Sequence, residues 1–231
     1  MLVEKNLITS IIKLTNQKKV PIQSISQDSK IPSLITSQML KKLQNQYLIE
    51  INDEFIEADT QMRLGLAIKA IELGADIENI SNFLAWQEFE EMAAIALNKN
   101  GYVTKKNVRF KQNGKRWEID VVGCKKVIVI CIDCKHWHHS IHHSTLKKIV
   151  SAQIERVTAF SDSLPNPSID IECIKWRNAK FVPAILSLIP GPSKFVDNVP
   201  VIPVLQLQDF LIQLPAHIES LKHFNRAFSH L

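Results

Sequence analysis

The pattern of hydrophobic and polar residues is most regular between positions 116 and 135. Residues 116–122 alternate between polar and apolar, and residues 127–134 form an almost continuous run of apolar, mostly β-branched side chains. These patterns predict two adjacent β-strands, with residues 123–126 as the turn between them. A further strand is predicted over residues 102–110, followed by a hairpin turn over residues 111–114 in which Asn113 and Gly114 supply positive φ angles.

Helical periodicity appears on both sides of these strands. One amphipathic helix is predicted over residues 86–99 and another over residues 144–160. Two more strands are predicted over 180–188 and 199–205, and residues 216–231 have the apolar spacing of a final amphipathic helix. The combination of strands and helices predicts an α/β domain.

The N-terminal residues show a different arrangement. Helices are predicted over residues 4–16, from Val20, and over 32–46, and an alternating hairpin follows over residues 47–57. Three short helices before a two-stranded wing resemble a winged helix. Whether it contacts DNA stays open, because the segment is charge-neutral and lacks arginine, and winged helices also serve as dimerisation or packing modules. The predicted organisation is a winged-helix domain at 1–58, a helical connector at 59–84 and a larger domain at 85–231.

Charged residues stand at the end of the apolar strand, where they need a partner. Asp133 and Lys135 share one predicted face of that strand, and Glu118 and Asp120 share one face of the strand before it. Carboxylates that converge at one sheet end can hold a hard divalent cation such as Mg²⁺, and a lysine beside it can orient the attacking water. Glu118 is either an extra ligand or the partner of Lys135 or Arg116 in an ion pair.

Asp120 and the tripeptide Asp133-Cys134-Lys135 resemble the PD-(D/E)xK nuclease superfamily, which includes restriction endonucleases, Mrr-like enzymes and archaeal junction resolvases. The resemblance covers residues 85–214 in element order, although Ile119 stands where the motif has proline. It implies a restriction-endonuclease-like mixed central sheet flanked by helices. It also implies Asp120 and Asp133 as principal metal ligands, Glu90 as a helper ligand and Lys135 as the residue that orients water. Candidates on the following helix are Gln153, which fits the family's glutamine, and Arg156. The implied cofactor is Mg²⁺, with Mn²⁺ as a substitute.

The basic residues concentrate around these strands. The chain has 231 residues and a net charge of +5, and residues 99–148 alone carry 12 basic and three acidic side chains. This distribution favours binding of a polyphosphate, although a solvated charged hairpin would give the same count. The predicted nucleic-acid contacts are Lys105, Lys106, Arg109, Lys111, Lys115, Arg116, His136 and His138.

Histidines and cysteines next to the predicted site raise the question of zinc. Residues 136–143 hold five of the eight histidines, and Cys131 and Cys134 precede them. Cysteines three apart on a strand point to opposite faces, so a shared zinc ion is disfavoured. The histidines are better interpreted as lining the mouth of the site, where His136 and His138 would contact phosphate. Four cysteines are too few for a disulfide framework, which favours a reducing compartment.

The sequence therefore predicts a Mg²⁺-dependent deoxyribonuclease, with an endonuclease as the favoured type. No apolar run is long enough to span a membrane, and the N-terminus lacks a signal-like apolar region, so a cytoplasmic location is expected. A DNA-binding regulatory protein on a catalytically silent nuclease-like scaffold is the alternative. A homodimeric Holliday-junction resolvase is the third reading.

Overall fold

Helices and one small sheet make up the N-terminal part of the chain. The computed structural model describes residues 2–16, 18–76, 79–80, 82–135, 137 and 141–228. The helices are α1 (Leu2–Leu14), α2 (Ile22–Ser29), α3 (Ser33–Asn45), α4 (Thr60–Glu72) and α5 (Trp86–Lys99). The small antiparallel sheet has the strand order β1-β3-β2, with β1 at Val20–Pro21, β2 at Glu50–Asn52 and β3 at Phe55–Glu57.

The local sequence explains these boundaries. The Asp59 carboxylate caps α4 by accepting a hydrogen bond of 2.8 Å from the Met62 N–H. Lys30 ends α2 in the left-handed conformation. Val20, predicted to begin a helix, instead pairs with Ile56, and α2 begins after the extended Pro21. The three helices and the hairpin are present, while the winged helix itself stays a prediction.

A seven-stranded mixed sheet forms the larger part of the chain. Its strands are β4 (Val103–Gln112), β5 (Lys115–Lys125), β6 (Ile128–Lys135), β7 (Asn178–Ser187), β8 (Phe195–Val196), β9 (Val199–Pro203) and β10 (Phe224–Ala227). Their order is β4-β5-β6-β7-β9-β8, with β10 pairing antiparallel to the first half of β7. The β6–β7 and β7–β9 pairs are parallel, and the others are antiparallel. The predicted mixed central sheet is confirmed.

Helices flank this sheet. Helix α6 (His143–Ser163) places Val157 and Phe160 in the core, where the Phe160 ring meets Phe110 at 5.2 Å and Phe181 at 5.8 Å between centroids. The last helix is α7 (Leu207–His217). The chain divides into two units, Met1–Met92 and Ala93–Leu231, and this boundary lies within α5. Across the described ranges, no helix has both the length and the apolar character needed to cross a membrane.

Two predicted elements were wrong. Gly123 does not form a turn, because β5 continues to Lys125 and Gly123 pairs with Ile130. A Cβ added at Gly123 would lie 2.9 Å from Leu97 Cδ2, so this glycine allows α5 to approach the strand closely. The single helix predicted over residues 216–231 is also wrong, because residues 224–227 pair with β7 as β10. By contrast, the turn at Asn113 and Gly114 has the predicted positive φ angles, 50° and 77°.

Candidate nuclease-like site

Asp120 lies where β5 and β6 stop pairing. Their regular register ends at Val121 opposite Ile132, and the next step would bring Asp120 opposite Asp133. Instead of a backbone carbonyl, the Asp120 carboxylate Oδ2 accepts the Cys134 N–H at 2.7 Å. The side chain of Asp120 is therefore fixed against the strand that carries Asp133 and Lys135.

The alternation of β5 shifts at the same place. Ile119 and Val122 are three residues apart, yet both lie in one core cluster, so the strand changes its facing between them. On β4, the register runs from Lys106 opposite Val121 to Val108 opposite Ile119. The intervening Asn107 has a φ of 51°. The strict alternation that predicted a shared face for Glu118 and Asp120 is thus interrupted at Asp120.

Asp133 is a buried carboxylate held by two cations. Only 3% of the residue is exposed. Lys135 Nζ lies 2.9 Å from its Oδ2, and Arg156 Nη1 lies 3.0 Å from its Oδ1. A buried charge is tolerated when it is paired and hydrogen-bonded, and Asp133 meets both conditions.

Gln153 and Arg156 bring α6 to this carboxylate. Gln153 is fully buried and donates from Nε2 to the Cys131 carbonyl at 2.8 Å, which ties α6 to β6. Its Oε1 accepts a short hydrogen bond from Arg156 Nη1. Gln153 therefore positions Arg156, and its own two polar ends are both occupied.

Glu90 lies in the first unit, on the first half of α5. It is buried, and its Oε1 accepts a hydrogen bond from the Trp86 indole one turn earlier. The neighbouring Glu88 has a different role, because it pairs with the buried Arg63 and accepts the Ala85 N–H at 2.6 Å. Arg63 also donates to backbone carbonyls of α1 and of residue 83. Glu88 is therefore a structural residue that secures the start of α5.

The oxygen donors at Asp120 and Asp133 fit magnesium better than zinc. Mg²⁺ is commonly held through one or two carboxylates, with waters and substrate phosphates completing its shell. No group of three or more His, Cys, Asp or Glu side chains with metal-binding geometry occurs among the residues described. The Cys131 thiol is buried, and burial raises its pKa well above the usual range, which opposes the thiolate that zinc requires. His136 and His138 lie outside the described residues.

The predicted basic residues follow the β4–β5 hairpin. Arg109 Nε lies 3.1 Å from Glu118 Oε2, so the structure gives Glu118 an ion-pair partner that the sequence did not predict. This pair raises the pKa of Arg109. Lys105 donates to the Asp170 carbonyl at 2.7 Å, and Lys115 Nζ lies 3.7 Å from the centre of the Trp117 ring. Lys106, Lys111 and Arg116 are exposed.

Similarity to known proteins covers the part of the chain that carries Asp120 and Asp133. Residues 85–174 match the nuclease-related domain family, NERD. The match supports a nuclease-like fold and indicates a nuclease-related function. An uncharacterized protein of Archaeoglobus fulgidus is 27% identical over 132 residues, which are 57% of this chain and 92% of the archaeal protein.

One solved structure is also similar, the crystal structure of protein VC1899 from Vibrio cholerae. The similarity covers 95% of this chain at 15% identity, with a TM-score of 0.39. The chain spans about half of that protein, 51% of its length.

The NERD match contains Asp120, Asp133 and Lys135, the residues at the junction of β5 and β6. It begins before Glu90, includes both aspartates, and ends within the short 3₁₀ helix Glu172–Lys175 that precedes β7. Arg156, a candidate beside Gln153, contacts Asp133 directly, whereas the family resemblance gives a role only to Gln153 on this helix. The signal was available, because Arg156 follows Gln153 by three residues and so lies on the same side of the helix.

Proposed function

We propose that this protein is a metal-dependent nuclease that hydrolyses phosphodiester bonds of DNA. The observation that carries the proposal is the junction of β5 and β6, where the Asp120 carboxylate is fixed 2.7 Å from the backbone of Cys134, between Asp133 and Lys135. The NERD match over residues 85–174 supports it independently.

Asp120 and Asp133 would hold the divalent cation, Mg²⁺ or Mn²⁺. Both offer carboxylate oxygens from adjacent strands, the ligand type that these hard cations prefer. When bound, the cation would supply electrostatic stabilisation of charge on the transferring phosphate. Glu90 is proposed as a helper ligand on the strength of the family resemblance.

Lys135 is proposed to orient the attacking water. Its ammonium group lies 2.9 Å from Asp133 Oδ2 and keeps about a quarter of its side chain exposed, 26%. It is therefore held in place by the buried carboxylate while part of its side chain meets solvent. Gln153 is proposed to act through Arg156, which it contacts directly.

The experiment that tests this function is cleavage of supercoiled plasmid, linear duplex, single-stranded DNA and a four-way junction with Mg²⁺, Mn²⁺ or EDTA. Asp133→Asn and Lys135→Ala should each lower cleavage at least about 100-fold, the usual scale for loss of an electrostatic or acid–base group. Lys194→Ala, an exposed lysine next to β8, serves as the matched control and should retain activity. Equal cleavage by all four proteins would identify a contaminant and refute the proposal.

A non-catalytic DNA-binding protein is the second candidate. The observation that favours it is that Lys135 and Arg156 occupy both oxygens of Asp133. A site that no longer binds a metal ion would also have its carboxylate paired with cationic side chains. Nucleic-acid binding without cleavage under any metal would support this reading. Preferential cutting of the four-way junction by a dimer would instead support the resolvase reading.

A further inference from the structure

The β4–β5 hairpin and the loop after α6 line a groove that does not include Asp120 or Asp133. Its volume is about 670 Å³. It is lined by Arg109, Phe110, Lys111, Arg116, Trp117, Glu118, Asn166, Ser168 and Ile169. Arg109, Lys111 and Arg116 give it three cations against the single carboxylate of Glu118, so its lining is positively charged.

Two of these cations face each other without compensation. Lys111 and Arg116 are direct cross-strand neighbours in the antiparallel β4–β5 pair. Like charges directly opposite each other destabilise a sheet, whereas the adjacent Arg109–Glu118 pair has opposite charges. Within the part of the chain described, neither Lys111 nor Arg116 forms an ion pair or a side-chain hydrogen bond. An anion placed between them would remove the repulsion.

The groove also lies on the strand that leads to the site. Arg116 precedes Asp120 by four residues on β5, a separation of about 13 Å at roughly 3.3 Å per residue. On the same face of β4, Lys106 is exposed five residues before Lys111, which corresponds to about 17 Å. A row of that length suits several consecutive phosphates, because one strand of a duplex rises about 3.4 Å per nucleotide. A single nucleotide would leave most of the row unused.

Trp117 distinguishes backbone contact from base stacking. An exposed indole could stack on an unpaired base. Here Lys115 already covers the ring, at 3.7 Å from its centre. The groove therefore presents cations and the polar side chains of Asn166 and Ser168, and its tryptophan face is occupied.

We propose that this groove is a second binding site that holds the phosphodiester backbone of a nucleic-acid strand, displaced by about 13 Å along β5 from Asp120. The direction in which the strand runs from the groove to Asp120 rests on the proposed nuclease function. Binding of the strand in the groove is testable separately from that function. The groove contacts the phosphates of the substrate and not its bases. It therefore determines on which side of the cleaved bond the strand is held.

The test is fluorescence anisotropy of a labelled 12-nucleotide DNA strand and of a 12-base-pair duplex, in EDTA and at several salt concentrations. EDTA prevents metal-dependent cleavage, so loss of binding is distinguishable from loss of catalysis. The variant Lys111→Glu/Arg116→Glu should bind at least about tenfold more weakly, with the slope of log Kd against log salt reduced by about 1 to 2. An RNA strand of the same sequence should bind similarly, because the contacts are to phosphates.

Two further proteins make the result specific. Lys194→Glu/Lys222→Glu changes the net charge equally at exposed positions, one just before β8 and one whose backbone N–H donates a hydrogen bond to Asn198 between β8 and β9, and it should bind like the unmodified protein. Glu118→Gln removes the carboxylate that engages Arg109 and should tighten binding about two- to fivefold, which a folding defect would not do. Equal weakening by both charge-reversed variants, or no binding by the unmodified protein at low salt, would overturn the inference. Metal-dependent cleavage in the latter case would leave the proposed function standing.

Discussion

Arg156 donates a hydrogen bond from Nη1 to Asp133 Oδ1 at 3.0 Å, and the same nitrogen donates to Gln153 Oε1. The contact joins the middle of α6 to the end of β6. Because Lys135 occupies the other oxygen of Asp133, the carboxylate carries two cationic partners. A divalent cation at Asp133 would have to share or displace them, so Arg156 connects helix packing with metal affinity.

Arg156→Ala should therefore raise the affinity of the protein for Mn²⁺ measured without nucleic acid, by about tenfold. The reason is the loss of one positive charge close to the proposed ligand, worth roughly 1 to 4 kcal/mol at partly exposed sites. The same variant should be less stable without metal by about 1.5–3 kcal/mol, because a charged hydrogen bond to a buried carboxylate is lost. Titration calorimetry measures the Mn²⁺ affinity, and urea unfolding measures the free energy of unfolding.

Arg156→Lys is the matched control for this prediction. It keeps the charge while losing the planar guanidinium that reaches both Asp133 and Gln153. Its Mn²⁺ affinity should stay near that of the unmodified protein. Arg156→Ala with unchanged or weaker Mn²⁺ binding would show that the arginine does not oppose the metal.

A comparison of two substitutions at Asp120 should separate its structural role from its chemical one. Asp120→Asn keeps a side-chain oxygen for the Cys134 N–H, whereas Asp120→Ala removes the acceptor. The Ala variant should lose about 1–3 kcal/mol of stability, and the Asn variant clearly less, by urea unfolding. Both should lose metal-dependent cleavage, because both lose the charge. An Asn variant that cleaves normally would contradict the assignment of Asp120 as a metal ligand.

The sequence was informative about the site because its signals are local. The apolar run before Asp133 predicts a buried strand, and β6 confirms it from Ile128 to Lys135. The ion pair between Glu118 and Arg109 could also have been predicted from the sequence. The two-residue turn at Asn113 and Gly114 sets the register that places Glu118 opposite Arg109. The change at Asp120 in which face of β5 the side chains occupy could not be predicted, because a prediction from alternating residues assumes a regular strand.

The elements that were missed depend on distant contacts. Phe224, Arg226 and Phe228 alternate as a strand requires, while Ile218, Leu221, Phe224 and Phe228 also have helical spacing. Pairing with the first half of β7 decides between them, and the paired residues of β7 lie about 45 positions earlier in the chain. Gly123 was missed for the same reason. A glycine is needed there because the Leu97 side chain packs close to its backbone, and Leu97 is distant from it in sequence.

Gly123→Ala should destabilise the protein by about 1–3 kcal/mol through overpacking. The added methyl would meet Leu97 Cδ2 at 2.9 Å and Ile130 Cγ2 at 3.2 Å, both in the interior. Combining it with Leu97→Ala should give a cost smaller than the sum of the two single changes, with a coupling of about 0.5–3 kcal/mol. Gly114→Ala, where no atom lies within 4 Å of the added Cβ, should show no coupling to Leu97. Additive unfolding free energies for Gly123 and Leu97 would rule out this contact as the cause.

Tyr102 should make stability fall at high pH. Its hydroxyl is buried, and desolvation raises its pKa from 10.0 to about 12. Between pH 10 and 12 the unfolded chain loses this proton while the folded protein keeps it, so unfolding is favoured as pH rises through this window. The contribution is fully present below pH 10 and is lost towards pH 12, with a size of about 1–2 kcal/mol after allowance for partial solvent screening.

Tyr102→Phe isolates this effect, because other groups titrate equally in both proteins. At pH 7 the variant should be as stable as the unmodified protein or slightly more stable, since the hydroxyl has no hydrogen-bond partner among the residues described. Its advantage should grow between pH 10 and 12 in urea unfolding measured at matched ionic strength. Parallel stability curves for the two proteins across this range would mean that the folded state does not hold the Tyr102 proton more tightly than the unfolded chain.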